Sequence, residues 1–128
     1  MSRVDDEAVR VPSNFWRYLG DHAWDQACAL LAEDFAGYLP QTGSEISGSA
    51  AFVEFLRDKL GTAHITINNR MASYDVWDKE HEVALQISVE MLGASDHMQT
   101  RHQFVIAFMT VDREYQIRCA SLYFAPCD

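Results

Sequence analysis

Apolar residues recur at three- and four-residue intervals in the N-terminal half of the chain and alternate with polar ones from Ala63 onward. Helices are therefore expected first and strands afterwards. In "PSNFWRYLGDHAWDQACALLAEDF", Ser13 is placed to cap a short helix carrying Phe15, Trp16, Tyr18 and Leu19, with Gly20 closing it. Asp21 is placed to cap a second helix, whose Trp24, Ala27, Cys28 and Leu31 share one stripe. The segment "FAGYLPQTGSEISG" reads as a short strand and a turn-rich loop, because β-type residues give way to Pro40, Gly43 and Gly48. Ser49 opens a third helix with Phe52, Phe55, Leu56 and Leu60 along one side.

The segments "HITINNRMASY", "EVALQISVEML", "QFVIAFMTV" and "YQIRCASLYF" predict four strands, separated by the turn signals "DVWDKE", "GASDH" and "DRE". Three helices followed by a strongly bent antiparallel sheet is an α+β layout with the helices on one face. Alternation places Val83, Leu85, Ile87, Val89 and Met91 on an apolar face, and Glu82, Gln86, Ser88 and Glu90 on a polar one. A regular hairpin at "GASDH" sets Val89 opposite Arg101, Ile87 opposite Gln103 and Leu85 opposite Val105. Cross-strand partners share a face, so Arg101 and Gln103 are expected inside, and His102 outside with Phe104, Ile106 and Phe108. The same rule puts Ile65, Ile67, Asn69 and Met71 inside, together with Ala120, Leu122 and Phe124, and Arg118 nearer the start of the last strand. A mostly hydrophobic pocket whose few polar groups are Asn69, Arg101 and Gln103 has the composition of a small-molecule site.

At 128 residues the chain is expected to hold one domain, residues 13–128, after a flexible segment over residues 1–12. The 48% apolar content supports a core without metal or disulfides. The formal charge of −9, from 19 acidic and 10 basic residues, argues against nucleic acid and against anionic membranes as partners. No apolar run has the length of a membrane span, and "MSRVDDEAVR" lacks the apolar core of a signal peptide, so the cytoplasm is expected. Cys28, Cys119 and Cys127 have no metal-type spacing and are expected as reduced thiols. His22, His64, His81 and His97 show no ligand spacing either, so neither metal nor cofactor is expected. The outward Phe104, Ile106 and Phe108 are too much apolar area to leave in water, and predict a homodimer through the convex face.

This order of elements, with "LLAEDFAGYLPQTGSEISGSAAFVEFL" and the closing "VDREYQIRCASLYF", resembles the nuclear transport factor 2-like superfamily in its SnoaL-like branch, from about Ser13 to Ala125. The resemblance implies a cone: a curved sheet around a pocket that opens between the helices and the concave face. The superfamily includes ketosteroid isomerases, polyketide cyclases, scytalone dehydratases, limonene-type epoxide hydrolases and non-enzymatic binding domains, so function rests on the pocket residues. Against the ketosteroid isomerase pattern, Phe15 stands in place of the oxyanion-hole tyrosine, Leu39 in place of the general base, and Ala107 in place of the protonated aspartic acid. That mechanism is excluded without a base and its donors.

Arg101-x-Gln103 with Asn69 is similar to the Arg-x-Asp and Asn of the epoxide hydrolases, although glutamine cannot take a proton from water at neutral pH. The leading expectation is a cofactor-free isomerase, cyclase or dehydratase for a hydrophobic carbonyl compound. Arg101 would stabilise negative charge, and Gln103 and Asn69 would orient the substrate or a water. Phe15, Tyr18, Leu39, Gln41, Leu85, Ile87, Val105, Leu122 and Phe124 would shape the pocket. The alternatives are a non-catalytic binding module or dimeric scaffold and, third, an epoxide hydrolase-like enzyme built on Arg101, Gln103 and Asn69.

Overall fold

The computed structural model describes residues 5–61, 63–75, 77–91 and 101–127, except for the side chains of Met91, Arg101, Pro126 and Cys127. Helix α1 spans Asp6–Gly20. Its cap is Asp5, whose carboxylate accepts the Glu7 N–H at 2.9 Å, and Ala8, Val9 and Val11 are buried. The expected start at Ser13 and the flexible reading of residues 5–12 are thereby corrected. The signal passed over was the Asp-Asp-Glu run at residues 5–7, since acidic residues favour a cap and a first turn. Pro12 lies inside this helix. Helix α2, Trp24–Ala29, follows Ala23 as cap rather than Asp21. Strand β1, Leu31–Leu39, pairs antiparallel with β2, Ser44–Ser47, so the loop expected after Pro40 carries a short edge strand. Helix α3 spans Ser49–Leu60.

Four long strands follow: β3 His64–Asp75, β4 Glu80–Met91, β5 Arg101–Val111 and β6 Ile117–Cys127. The sheet order is β2-β1-β6-β5-β4-β3. It is mixed rather than wholly antiparallel, because β6 returns beside β1 in parallel, with Leu31 opposite Ile117 and Gly37 opposite Ala120. Helix α1 packs on β3, β4 and β5, and α3 on β1 and β2. Phe15, Trp16, Phe35, Phe52, Leu56, Leu85, Ile87, Met109 and Leu122 form the centre of the core, each contributing about 1.5–3 kcal/mol by burial. The Phe52 ring lies 4.6 Å from that of Phe35 and 6.2 Å from that of Phe15. It lies so flat on β1 that a Cβ at Gly37 would come within 2.6 Å of it. None of the described helices is long and apolar enough to cross a membrane.

Strand register decides which side chains face the helices. Strands β4 and β5 pair with Val89 opposite Gln103, Ile87 opposite Val105 and Leu85 opposite Ala107. This is two residues from the expected pairing, and a two-residue slip leaves every side chain on its expected face. Strand β3 differs. Ile67 pairs with Ile87, but Asn69 pairs with Gln86 and Arg70 with Leu85, because Asn68 is an extra residue in the ladder. A bulge of one residue reverses the alternation beyond it. Asn69 and Met71, expected inside, therefore lie on the convex face, Met71 at 71% exposure, and Arg70 and Ala72 take the inner positions. A second irregularity between Thr110 and Val111 leaves Arg118 unmatched in the ladder. Arg118 is exposed and holds Glu80 through two bonds, of 2.6 and 2.8 Å.

Candidate functional site

The concave face meets the helices without a gap at its centre. Phe15, Trp16, Ile87, Val105, Ala107 and Leu122 have no accessible surface, and Leu85 has almost none. A side chain with no accessible surface touches neither solvent nor a void that could hold a water. Of the expected pocket residues, Phe15, Leu85, Ile87, Val105 and Leu122 are thus members of one buried hydrophobic cluster. Phe15, Leu39 and Ala107, at the ketosteroid isomerase positions, have no ionisable side chain beside them in the interior: the buried polar residues among those described are Ser13 and His81. The indole N–H of Trp16 is buried and has no hydrogen-bond partner among the described residues. His81 sits away from the centre, at the end of the sheet where β3 turns into β4. Its Nε2 accepts the Asp5 N–H at 2.9 Å, and the Tyr74 ring lies 4.9 Å away. Beside it the Tyr115 hydroxyl donates to Asp5 at 2.6 Å. That bond, followed by the Glu7 N–H, holds the Asp5 carboxyl below its usual range, and the same bond raises Tyr115.

Around the packed centre runs a half-buried rim: Tyr18, Leu39, Phe55, Ile65, Ile67, Gln103 and Phe124. Gln103 faces inward in the row of Ile65 and Val89. Phe124 meets Phe55 edge-on at 6.4 Å, with the Lys59 ammonium 5.0 Å from its centroid. Gln41 does not fold over the opening. Its Nε2 donates to the Phe124 carbonyl at 2.9 Å and its Oε1 accepts the Phe124 N–H at 2.8 Å, so it clamps the β6 backbone. The Arg101 side chain lies outside the described residues. His102 is exposed, opposite Glu90 on the convex face. Of the expected catalytic trio, Gln103 and Asn69 stand on opposite faces of the sheet, so no site formed by Gln103 and Asn69 together is assembled.

Two surface features complete the geometry. Between α1 and the bulge in β3 an open cleft of about 320 Å³ is lined by Ser13, Ile67, Asn68, Asn69 and Arg70. Arg70 Nη1 donates to Ser13 Oγ at 3.0 Å, and Asn68 bonds to the Ser88 hydroxyl. Arg70 was missed by strict alternation, but the triplet Asn68-Asn69-Arg70 within an alternating strand was the available signal: three polar residues in a row cannot all lie on one face. On the convex face, Met71, Ser73, Glu82, Ala84, Phe108, Thr110 and Ser121 are among the residues that border a shallow groove of about 500 Å³. Phe108, half exposed, stacks edge-on with Tyr123 at 5.9 Å. Among the described residues no three His, Cys, Asp or Glu side chains converge as metal ligands would.

No protein-family model and no curated protein matches the sequence. Solved structures do match in shape. A Kribbella flavida DSM 17836 protein provisionally named a ketosteroid isomerase superimposes with a TM-score of 0.76 at 20% identity, over 96% of this chain and 81% of that one. A Xanthomonas campestris pv. campestris protein provisionally named a polyketide cyclase gives 0.67 at 22% identity, over 92% and 90%. The orange carotenoid protein of Anabaena (Nostoc) sp. PCC 7120, binding canthaxanthin, gives 0.73 at 16% identity, over 90% of this chain and 36% of that one.

Proposed function

We propose that this chain, whose fold is that of the nuclear transport factor 2-like proteins, is a small-molecule-binding domain that holds a hydrophobic ligand at the rim of its cone and performs no acid–base chemistry there. The observation that carries this reading is the contrast between rim and centre. The rim offers half-buried Tyr18, Leu39, Phe55, Ile65, Ile67 and Phe124 together with the amide of Gln103, whereas the centre is packed and free of ionisable side chains. An apolar surface with a few placed polar groups recognises a ligand by shape, and proton transfer needs a group of suitable pKa within reach of the reacting atom. The orange carotenoid protein, of which 36% superimposes on this chain, binds canthaxanthin, and this supports the reading with a hydrophobic ligand held by a protein that contains the fold. The test is a titration with Nile red, a neutral apolar dye. Saturable binding that weakens in Gln103→Ala and Phe124→Ser is expected. Absence of saturable binding, together with no small molecule released from the purified protein on denaturation, would overturn the proposal.

The enzymatic reading, a cofactor-free isomerase, cyclase or dehydratase of the SnoaL-like kind, draws on one specific observation. The unpartnered Trp16 N–H is a buried donor, and a substrate carbonyl would satisfy it. Such a substrate would have to displace packed core side chains, Phe15 among them, whose ring meets that of Trp16 edge-on at 5.8 Å. Turnover of a carbonyl substrate that falls tenfold or more in Trp16→Phe would favour this reading over binding alone. For assembly, the convex face is the surface proposed for a homodimer, because Tyr38, Met71, Phe108 and Tyr123 are exposed there and burying them removes apolar area from water. Light scattering at micromolar concentration should give twice the 14.6 kDa chain mass, and a monomer would exclude the pairing.

A further inference from the structure

We infer that the cleft between α1 and the β3 bulge is an anion subsite, built on Arg70 and Ser13, that selects ligands carrying a carboxylate. The inference rests on the ligand-binding reading above and adds the chemical class of the ligand. Without Asn68 in the ladder, Arg70 would fall on the convex face. With it, the guanidinium lies beside α1 and meets Ser13 Oγ at 3.0 Å. Ser13 is only 6% exposed, so the hydroxyl is a fixed point that orients one arm of the guanidinium fork.

The fork has five N–H donors, and the contact with Ser13 uses one. Among the described residues no carboxylate lies within ion-pair distance of Arg70, the pair at Arg118 and Glu80 being the one found. In a chain with 19 acidic and 10 basic residues, an arginine held by a neutral hydroxyl keeps its charge available for an incoming anion. A planar guanidinium matches a carboxylate through two parallel bonds. One cation balances one negative charge, which favours a carboxylate over a phosphate dianion in so acidic a chain. Ser13 Oγ accepts from Arg70 and has its own proton to donate.

The rest of the cleft fits an amphipathic acid. Ile67 borders the cleft and is itself a half-buried rim residue beside Ile65 and the inward Gln103 row. An acid held at Arg70 could therefore lay its apolar body over Ile67 towards the rim. The volume of about 320 Å³ is at the lower end of the range for small-molecule sites, about 300–1,000 Å³, which suits a compact aromatic or short aliphatic carboxylate.

The experiment compares 2-naphthylacetate with its neutral isostere 2-naphthylacetamide by titration calorimetry, on the wild type, Arg70→Gln and Arg70→Lys, with Nile red binding measured in parallel. Arg70 is exposed, and a thermal melt establishes that the variants are folded. The expected result is a carboxylate preference of tenfold or more in the wild type that weakens with added salt. It should vanish in Arg70→Gln without loss of amide or Nile red binding, and survive in part in Arg70→Lys. Equal binding of acid and amide, unchanged by Arg70→Gln, would overturn the subsite while leaving the binding domain standing. Nile red binding with no naphthyl ligand bound would do the same. Failure of all three ligands would remove both readings together.

Discussion

Substituting Gly37 by alanine tests whether the centre of the cone is packed or hides room for a ligand. The added Cβ would stand 2.6 and 2.7 Å from Cδ1 and Cε1 of Phe52, and 3.4 Å from Cε1 of Phe35. Phe52 is fully buried, between Phe15 and Phe35, so the ring cannot retreat without pushing those two. Forcing an extra methyl into a packed core costs about 1–3 kcal/mol. Alanine also restricts the unfolded chain, which returns about 0.4–1 kcal/mol. The steric cost exceeds this gain, and a net loss of about 1–2 kcal/mol is expected. At about 2.1 cal/mol/K per residue of unfolding entropy, that lowers Tm by roughly 4–8 °C. The assay is reversible urea and thermal unfolding of the wild type, Gly37→Ala, Phe52→Leu and the double variant. Because Phe52→Leu removes the atoms that clash, the double variant should lose less than the two single losses added together. A neutral or stabilising Gly37→Ala would mean that Phe52 has space to move. The packed-centre reasoning, and with it the assignment of the ligand to the rim, would then fail.

Two further outcomes follow from the edges of the fold. Gln41→Ala removes both bonds to the Phe124 backbone and should cost about 0.5–1.5 kcal/mol, since exposed hydrogen bonds are worth little each. The sharper readout is faster hydrogen exchange at the Phe124 amide, and an unchanged rate would show that the clamp does not form in solution. Tyr115→Phe removes the first cause of the lowered Asp5 pKa and leaves the Glu7 N–H in place, so Asp5 should titrate higher, nearer 3.8. A depressed carboxyl contributes stability above its unfolded pKa that is lost as pH falls through the folded value. The variant should therefore lose the share of acid sensitivity below about pH 4 that the Tyr115 bond to Asp5 causes, and keep the share due to the Glu7 N–H. An unmoved Asp5 titration by NMR would show that the Tyr115 bond is not what lowers it.

The helices and strands were legible because periodicity is a local property. The stripe of Phe52, Leu56 and Leu60 predicts α3, and strict alternation from Val83 to Val89 predicts β4 with its inner face. The start of α1 was not read, because the sequence signals at Asp5 and Ser13 compete: either can cap, and Pro12 suggests a helix start next to Ser13. Burial of Ala8, Val9 and Val11 against the rest of the fold decides for Asp5. Whether β1 pairs with β6, and in which direction, is a long-range outcome that no local pattern carries. The same is true of β2, a four-residue strand that exists because β1 supplies its partner.

The site depended on parity, and parity is fragile in a way that identity is not. The β4–β5 pairing expected from the sequence is two residues out of register and still places Gln103 inside, because the strand period is two. One extra residue in β3 was enough to send Asn69 outside and bring Arg70 in. At Arg118 the second irregularity exposes a residue expected near the inner face and commits its guanidinium to Glu80. The two arginines thus end in opposite situations for the same structural reason. Arg118 meets a carboxylate, which occupies the fork and raises its pKa, whereas Arg70 meets a hydroxyl and keeps most of its donors. The bulge in the edge strand β3 turns Arg70 inward and Met71 outward while the row of Ile67, Ile87 and Val105 keeps its inner face. The packed centre can therefore remain packed while recognition moves to the cleft and rim around it.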